Sequence, residues 1–210
     1  PNAIILVLPS DHIIKNKREF LKIISHSKNI AEDRFIVTFG IKANKPKTTM
    51  GYITAGGKKI HNGFMIEKFI EKPNEQKAKK LIQSKKSFWN SGIFLFSSKT
   101  FIKETKTHSK KTLDISKNIN KKIKEDMIFK VIQKKPFVNF ENQPIDKLIM
   151  EKTKNGVIVP FISGWFDVGS WEGVWDVVEK DKNNNSINKN VFLNNVSNSI
   201  IWNKNKKIVV

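Results

Sequence analysis

The sequence predicts an α/β fold, and three observations carry that expectation. Residues 3–8 are continuously apolar, the pattern of a parallel strand covered on both faces. Residues 19–31 place Phe20, Ile23, Ile24, Ser27 and Ile30 at helical spacing, and residues 34–41 form a second apolar strand. Strand, helix, strand in this order is the α/β signature. Near the C-terminus the composition changes to an Asn/Lys-rich linker, 181–190, and residues 191–210 then alternate short strands with Asn turns, as at the start of a small β region.

The remaining elements follow in order. A loop rich in Pro, Lys and Thr, 44–49, leads into Met50-Gly51-Tyr52-Ile53 and then Gly56-Gly57, which reads as a hairpin. Residues 64–70 form a strand running into Glu71-Lys72-Pro73. Asn74 is placed to cap a helix over 74–84, with Ala78, Leu81 and Ile82 on one face. Residues 88–97 form a strand with Gly92 inside it. Residues 99–126 are polar, lysine-rich and weakly periodic, as surface helices are. Residues 145–152 have helical spacing, 156–162 form a strand, and 171–180 a helix.

Bulk properties exclude several classes. The 210 residues carry a net charge of +20, but of 39 basic residues only Arg18 and Arg34 are arginine. Arginine forks onto phosphates and guanine edges, so its scarcity argues against a nucleic-acid surface. Lys, Asn and Ile are abundant, as in an AT-rich coding sequence, and the charge reads as solvated surface lysine that favours anionic partners. There is no cysteine, hence no disulfide framework and no thiolate metal site, which fits a cytoplasmic location. No apolar stretch approaches the ~20 residues of a membrane span. Pro1 stands close to a strand, and Lys207-Ile208-Val209-Val210 ends inside another, so the sequence reads as a piece of a longer protein.

Five stretches combine chemistry-bearing residues with special backbone. Pro9-Ser10-Asp11-His12 ends the first strand, where open α/β sheets bind ligands. Gly51-Tyr52 allows a close backbone approach. Glu71-Lys72-Pro73 ends a strand with an acid and a base. Trp89-Asn90-Ser91-Gly92 puts an amide and a glycine on a strand. Trp165-Phe166-Asp167-Val168-Gly169 holds an acid in a tight turn. Asp11 and Asp167 are the oxygen ligands that Mg²⁺ accepts, one or two carboxylates with water and phosphate completing its shell. Glu71 and Asn90 suit sugar hydroxyls and Lys72 suits phosphate charge. Each also has an ordinary explanation: a turn or cap for the aspartates, one lysine among many for Lys72, core packing for the aromatics, a structural hydrogen bond for His12. Asp146 and Glu151 lie five residues apart on an expected helix, which puts them off a common face.

Taken in order, "LVLPSDH", "VTFGIKANKPKTTMGYI", "FIEKP", "FWNSGIFLF", "PIDKLIMEK" and "GWFDVGSW" resemble the sugar-nucleotide pyrophosphorylases, and more narrowly the bacterial mannose-1-phosphate guanylyltransferases. The resemblance runs from the first strand to the helix at Trp171. It implies a Rossmann-like nucleotidyltransferase domain over residues 1–181 with a mixed, mostly parallel sheet, then a linker and the start of a β-helix-like region over 182–210. It implies transfer of a guanylyl group from GTP to mannose 1-phosphate, with Mg²⁺ as cofactor. Carried over, Asp11 and Asp167 hold the metal and share catalysis with Lys72, while Gly51, Tyr52, Glu71, Asn90 and Gly92 bind substrate. The implied partners are these two substrates, with neither nucleic acid nor membrane, in a protein compatible with a homo-oligomer. The Gly-rich phosphate loop (G-G-x-G-x-R-L-x-P) that opens such enzymes has no counterpart here. The chain is therefore expected to be N-terminally incomplete and inactive alone. The alternatives are a pyrophosphorylase using UTP, dTTP or ATP, and a non-catalytic basic binding module.

Overall fold

A computed structural model describes residues 3–84, 86–132, 137–162, 164–204 and 206–210; Pro1, from which the chain enters its first strand, lies outside them. The chain divides into two compact units, Pro1–Pro9 with Asn16–Ser163, and Ser10–Lys15 with Gly164–Val210.

The first unit is built on a six-stranded sheet. Its strands are β1 (Ile4–Val7), β3 (Ile36–Lys42), β4 (Tyr52–Ile60), β5 (Gly63–Ile70), β6 (Ser87–Ser97) and β9 (Gly156–Pro160), in the order β1-β6-β3-β9-β5-β4. β4 pairs with β5 on one side and with the start of β6 on the other. Both β3 and β9 are almost wholly buried, as their largely apolar sequences require, and they run parallel. The mixed character of the sheet is as the sequence implies, but its balance is not: every other described pairing in this sheet is antiparallel. β1 itself corrects a reading. It lies antiparallel to β6 at the sheet edge, with Ile5 38% and Val7 41% exposed, so its apolar run is not that of a parallel strand covered on both faces.

The expected hairpin at Gly56-Gly57 is also displaced. β4 continues through the glycines with two irregularities in its register, and the chain turns only at His61 and Asn62, where His61 adopts φ 49°. Helix α1 (Lys17–Glu32) is capped by Asn16, whose Oδ1 accepts from the Glu19 N–H at 3.0 Å, and buries Phe20, Ile30 and Ala31. Helix α2 (Glu75–Gln83) is capped as expected by Asn74, with Ala78 fully buried. The lysine-rich stretch forms α3 (Ser98–His108) and α4 (Lys110–Lys121), but its end is a strand, β7 (Lys124–Asp126), paired antiparallel to β8 (Phe129–Val131). The core joins Ile36, Ile53, Phe69, Phe94, Phe96 and Ile158 to Leu148, Ile149 and Met150. Burying each such side chain stabilises by roughly 1.5–3 kcal/mol. The last three lie on a π-helical turn, π1 (Asp146–Met150).

The second unit opens with β2 (His12–Ile14) paired antiparallel to β10 (Trp165–Asp167), then α5 (Trp171–Val177), capped by Ser170. Its short strands β11 (Ser186–Ile187) and β12 (Val191–Phe192) pair in parallel with β13 (Ile200–Ile201) and β14 (Ile208–Val209). Asn184, Asn190, Asn195 and Asn198, all at positive φ, make its turns. Among the described residues no helix is long and apolar enough to cross a membrane.

Candidate active site

The sequence-predicted residues fall into two groups, one in each unit. In the first unit, β5 ends at Ile70 and delivers Glu71 beside Gly51. A Cβ built on Gly51 would stand 2.6 Å from Glu71 Oε2 and 3.3 Å from the Asn90 Cβ, so a side chain here would displace the Glu71 carboxylate. Gly51 and Asn90 are joined through the backbone, the Asn90 N–H donating to the Gly51 carbonyl at 2.8 Å. The buried Asn90 amide accepts from the Thr38 hydroxyl at 2.8 Å and donates to Asp146 Oδ1 at 2.8 Å. Its carbonyl and amino ends are thereby assigned, and among the described residues one N–H of the amino group is left over.

Gly92 lies two residues on at φ 68°, inside a bulge in which Ser91, Gly92 and Ile93 stand opposite Phe39 alone. It shapes the strand that carries Asn90. Tyr52 is buried, and its hydroxyl accepts from the Lys47 N–H at 2.8 Å, so its side chain is committed to holding the 44–49 loop. Lys72 follows Glu71 at φ 47°, a left-handed backbone in a residue with a side chain. Its exposed ammonium lies 3.7 Å from Glu71 Oε1.

Two residues of this group were discounted by the sequence reading. Asp146 and Glu151 are five apart, which an α-helix would place on different faces. The turn between them is a π-turn, closed by the Glu151 N–H donating to the Asp146 carbonyl at 2.9 Å, and this i→i+5 geometry brings the two acids to one side. Asp146 meets Asn90, and Glu151 Oε1 accepts from the Glu71 N–H at 2.8 Å. The only signal in the sequence was the five-residue spacing itself. Three carboxylates thus converge. Burial, reinforced by Asp146 and then Glu151, holds the Glu71 carboxyl above the usual range against the opposing effect of Lys72. Burial likewise raises Asp146, although the Asn90 amide works against it.

In the second unit, Asp11 lies in the turn before β2. Its carbonyl accepts from the Val168 N–H at 3.2 Å, and the register of β10 sets Asp167 opposite His12. Asp167 Oδ1 accepts from the Gly169 N–H at 2.9 Å. Both carboxylates reach the same point. A Cβ on Gly169 would lie 2.9 Å from Asp11 Oδ2 and 3.1 Å from Asp167 Oδ1. His12 has the structural part: its Nδ1 accepts from Trp165 Nε1–H at 3.1 Å and its ring meets that indole edge-on at 5.0 Å. Burial lowers its pKa, while Asp167 and Asp11 pull the other way.

A family model described as nucleotidyl transferase matches residues 1–184. The chain belongs to the nucleotidyl transferase family. It is 35% identical over 201 residues to a mannose-1-phosphate guanylyltransferase of Salmonella muenchen, covering 96% of this chain and 42% of that protein. It is 34% identical over 205 residues to the enzyme of the same name from Escherichia coli, covering 96% and 44%. To the alginate biosynthesis protein AlgA of Pseudomonas aeruginosa it is 33% identical over 211 residues, covering 100% and 44%. The chain thus spans about two fifths of the length of the curated relatives it matches. Among solved structures, a mannose-6-phosphate isomerase from Helicobacter pylori is 28% identical with a TM-score of 0.73, over 79% of this chain and 64% of that one. A protein described as mannose-1-phosphate geranyltransferase from Thermus thermophilus has a TM-score of 0.81 at 23% identity, over 99% and 59%, a likeness of fold.

Nucleotidyl transferases of this family generally use a divalent metal ion. Among the described residues no group of three or more His, Asp or Glu side chains is arranged to hold one. The Asp11–Asp167 pair is the smaller, two-carboxylate set that a hard cation completes with water and phosphate oxygens, and Gly169 keeps the space beside it clear. The donor set therefore fits the family's metal.

Proposed function

We propose that the protein transfers a guanylyl group from GTP to mannose 1-phosphate, giving GDP-mannose and pyrophosphate. The observation that carries the reading is the niche in which Glu71 faces Gly51 beside Asn90, in a chain of this family with mannose-1-phosphate guanylyltransferases among its relatives. A phosphate oxygen of the sugar phosphate attacks the α-phosphorus of GTP, the new P–O bond forms in line with the breaking one, and pyrophosphate leaves with the bonding pair. Such chemistry needs positioning and charge stabilisation, and no nucleophilic side chain.

In this reading Glu71 accepts from sugar hydroxyls, with Asn90 beside it offering its remaining N–H. Gly51 lets the sugar approach the backbone. Lys72, exposed at the end of β5, places its ammonium against phosphate. The backbone of Tyr52 and the bulge at Gly92 keep these groups in place. Asp11 and Asp167 would hold Mg²⁺, which when bound supplies positive charge for phosphate oxygens. Residues 1–181 form the transferase domain and 182–210 the entry to a separate β region. The protein works in the cytoplasm, in a form compatible with a homo-oligomer, and handles neither nucleic acid nor membrane.

The test is pyrophosphate release by the full-length protein, with GTP, UTP, dTTP and ATP each paired with mannose 1-phosphate and glucose 1-phosphate. Preference for GTP with mannose 1-phosphate is expected. Preference for another pair would reassign the substrates, and no release with any pair would overturn the reading. Asp167→Asn should weaken Mg²⁺ binding measured by calorimetry in the presence of GTP, a readout independent of turnover.

A further inference from the structure

Asp146 opens π1 and Glu151 follows it, and each makes a contact that the transfer reaction does not itself call for. Asp146 is half-buried on the turn that also carries the core residues Leu148, Ile149 and Met150, and its carboxylate accepts from the Asn90 amide at 2.8 Å. Glu151 reaches 80 residues back along the chain to take the Glu71 N–H at 2.8 Å. A half-buried carboxylate such as Asp146 is destabilised by desolvation and by like charge nearby, so its position needs a compensating bond. Here each acid's bond ends on a residue of the sugar niche.

We infer that Asp146 and Glu151 are positioning residues for sugar-phosphate recognition, presented together by the π-turn: Asp146 fixes the orientation of the Asn90 amide, and Glu151 fixes the strand end that carries Glu71 and Lys72. The inference rests on the reading of Glu71 and Asn90 as sugar contacts. Without Asp146, the Asn90 amide keeps only Thr38 and is free to rotate its amino end away. Without Glu151, the N–H of Glu71 loses its acceptor at the residue before Lys72, whose left-handed φ of 47° has no glycine to ease it. A π-turn is required because an α-turn over the same residues would part the two acids. Neither acid touches the nucleotide in this account, and neither transfers a proton.

The test compares Asp146→Ala, Asp146→Asn, Glu151→Ala and Glu151→Gln in the full-length protein. Losing a hydrogen bond to a charged group should raise the KM for mannose 1-phosphate roughly ten- to a hundred-fold in each alanine variant, with the KM for GTP within about two-fold of wild type. The amide variants keep an acceptor oxygen and should recover most of the loss, which also keeps the test open if an alanine variant folds poorly. A further difference separates the two acids: Glu151→Ala should lower kcat as well, because Lys72 is released with Glu71, whereas Asp146→Ala should act mainly on KM. Unchanged sugar-phosphate KM in both alanine variants, or equal rises for both substrates, would overturn the inference. A wild-type enzyme that prefers another sugar phosphate would overturn the proposed substrate alone, with the same split then read on that sugar. A wild-type protein with no transfer activity would overturn both.

Discussion

Glu71 sits where three influences meet, and two consequences follow at the scale of the residue. The first is steric. Gly51→Ala would drive a methyl to 2.6 Å from Glu71 Oε2, so the carboxylate must swing away. Turnover at low mannose 1-phosphate should fall by ~10-fold or more, since sub-ångström misplacement of a binding group is costly, while the melting temperature stays within a few degrees of wild type. Unaltered kinetics would remove Glu71 from the sugar niche. The second is electrostatic. Burial and the neighbouring acids hold the Glu71 carboxyl above its unfolded value, so the folded protein binds the extra proton in the interval between them. Stability then falls as pH rises from about 4.3 through the raised folded value and levels off beyond it. Glu71→Gln removes that titration. Its denaturant midpoint should decline less than the wild-type midpoint between about pH 4 and pH 7. Parallel declines would show that Glu71 titrates alike in both states.

At the scale of the element, α3 is fastened to the loop before β9 by one buried acid. Glu104 accepts from the Thr153 hydroxyl at 2.6 Å and the Asn155 amide at 2.8 Å, with His108 Nε2 at 3.3 Å. Burial alone would raise this carboxyl, but the donors outweigh it and hold it below the usual range. Glu104→Ala leaves those donors unsatisfied and should cost about 2–4 kcal/mol in chemical unfolding; a loss under about 0.5 kcal/mol would show that water replaces the carboxylate there. Elements of this kind were legible where local chemistry decides them. Asn74 announces α2 by its cap, and the apolar runs announce β3 and β9. Strand direction was not legible, because an apolar run such as Ile4–Val7 has the same appearance parallel or antiparallel and its partner β6 lies some 90 residues away in the register. The glycine pair 56–57 misled, since a glycine serves a bulge as well as a turn. Glu71, Asn90 and Gly51 were legible as motifs, but their support was not: a five-residue spacing carries meaning only once the turn is known to be π.

For the whole molecule, the net charge of +20 raises the question of nucleic acid most directly. Lysine with only two arginines gives attraction without readout. Filter binding with a random duplex should therefore show only weak, sequence-independent association at physiological salt, weaker than about 10⁻⁶ M and falling steeply as salt rises. Tight, sequence-selective binding that survives high salt would restore the nucleic-acid reading. The same molecule carries two styles of construction. The main sheet draws its strands from far apart in the chain, so no part of it is complete until nearly all of it is present. The parallel rungs of β11 with β13 and β12 with β14 are the opposite: each is two residues wide and closes over a neighbouring turn of chain. A stack of that kind is close to one-dimensional, its cohesion a running sum of nearest-neighbour terms. Its rungs are expected to open one by one, each on its own neighbour terms, where the sheet must give way all at once. One chain therefore holds a cooperative solid and a zipper.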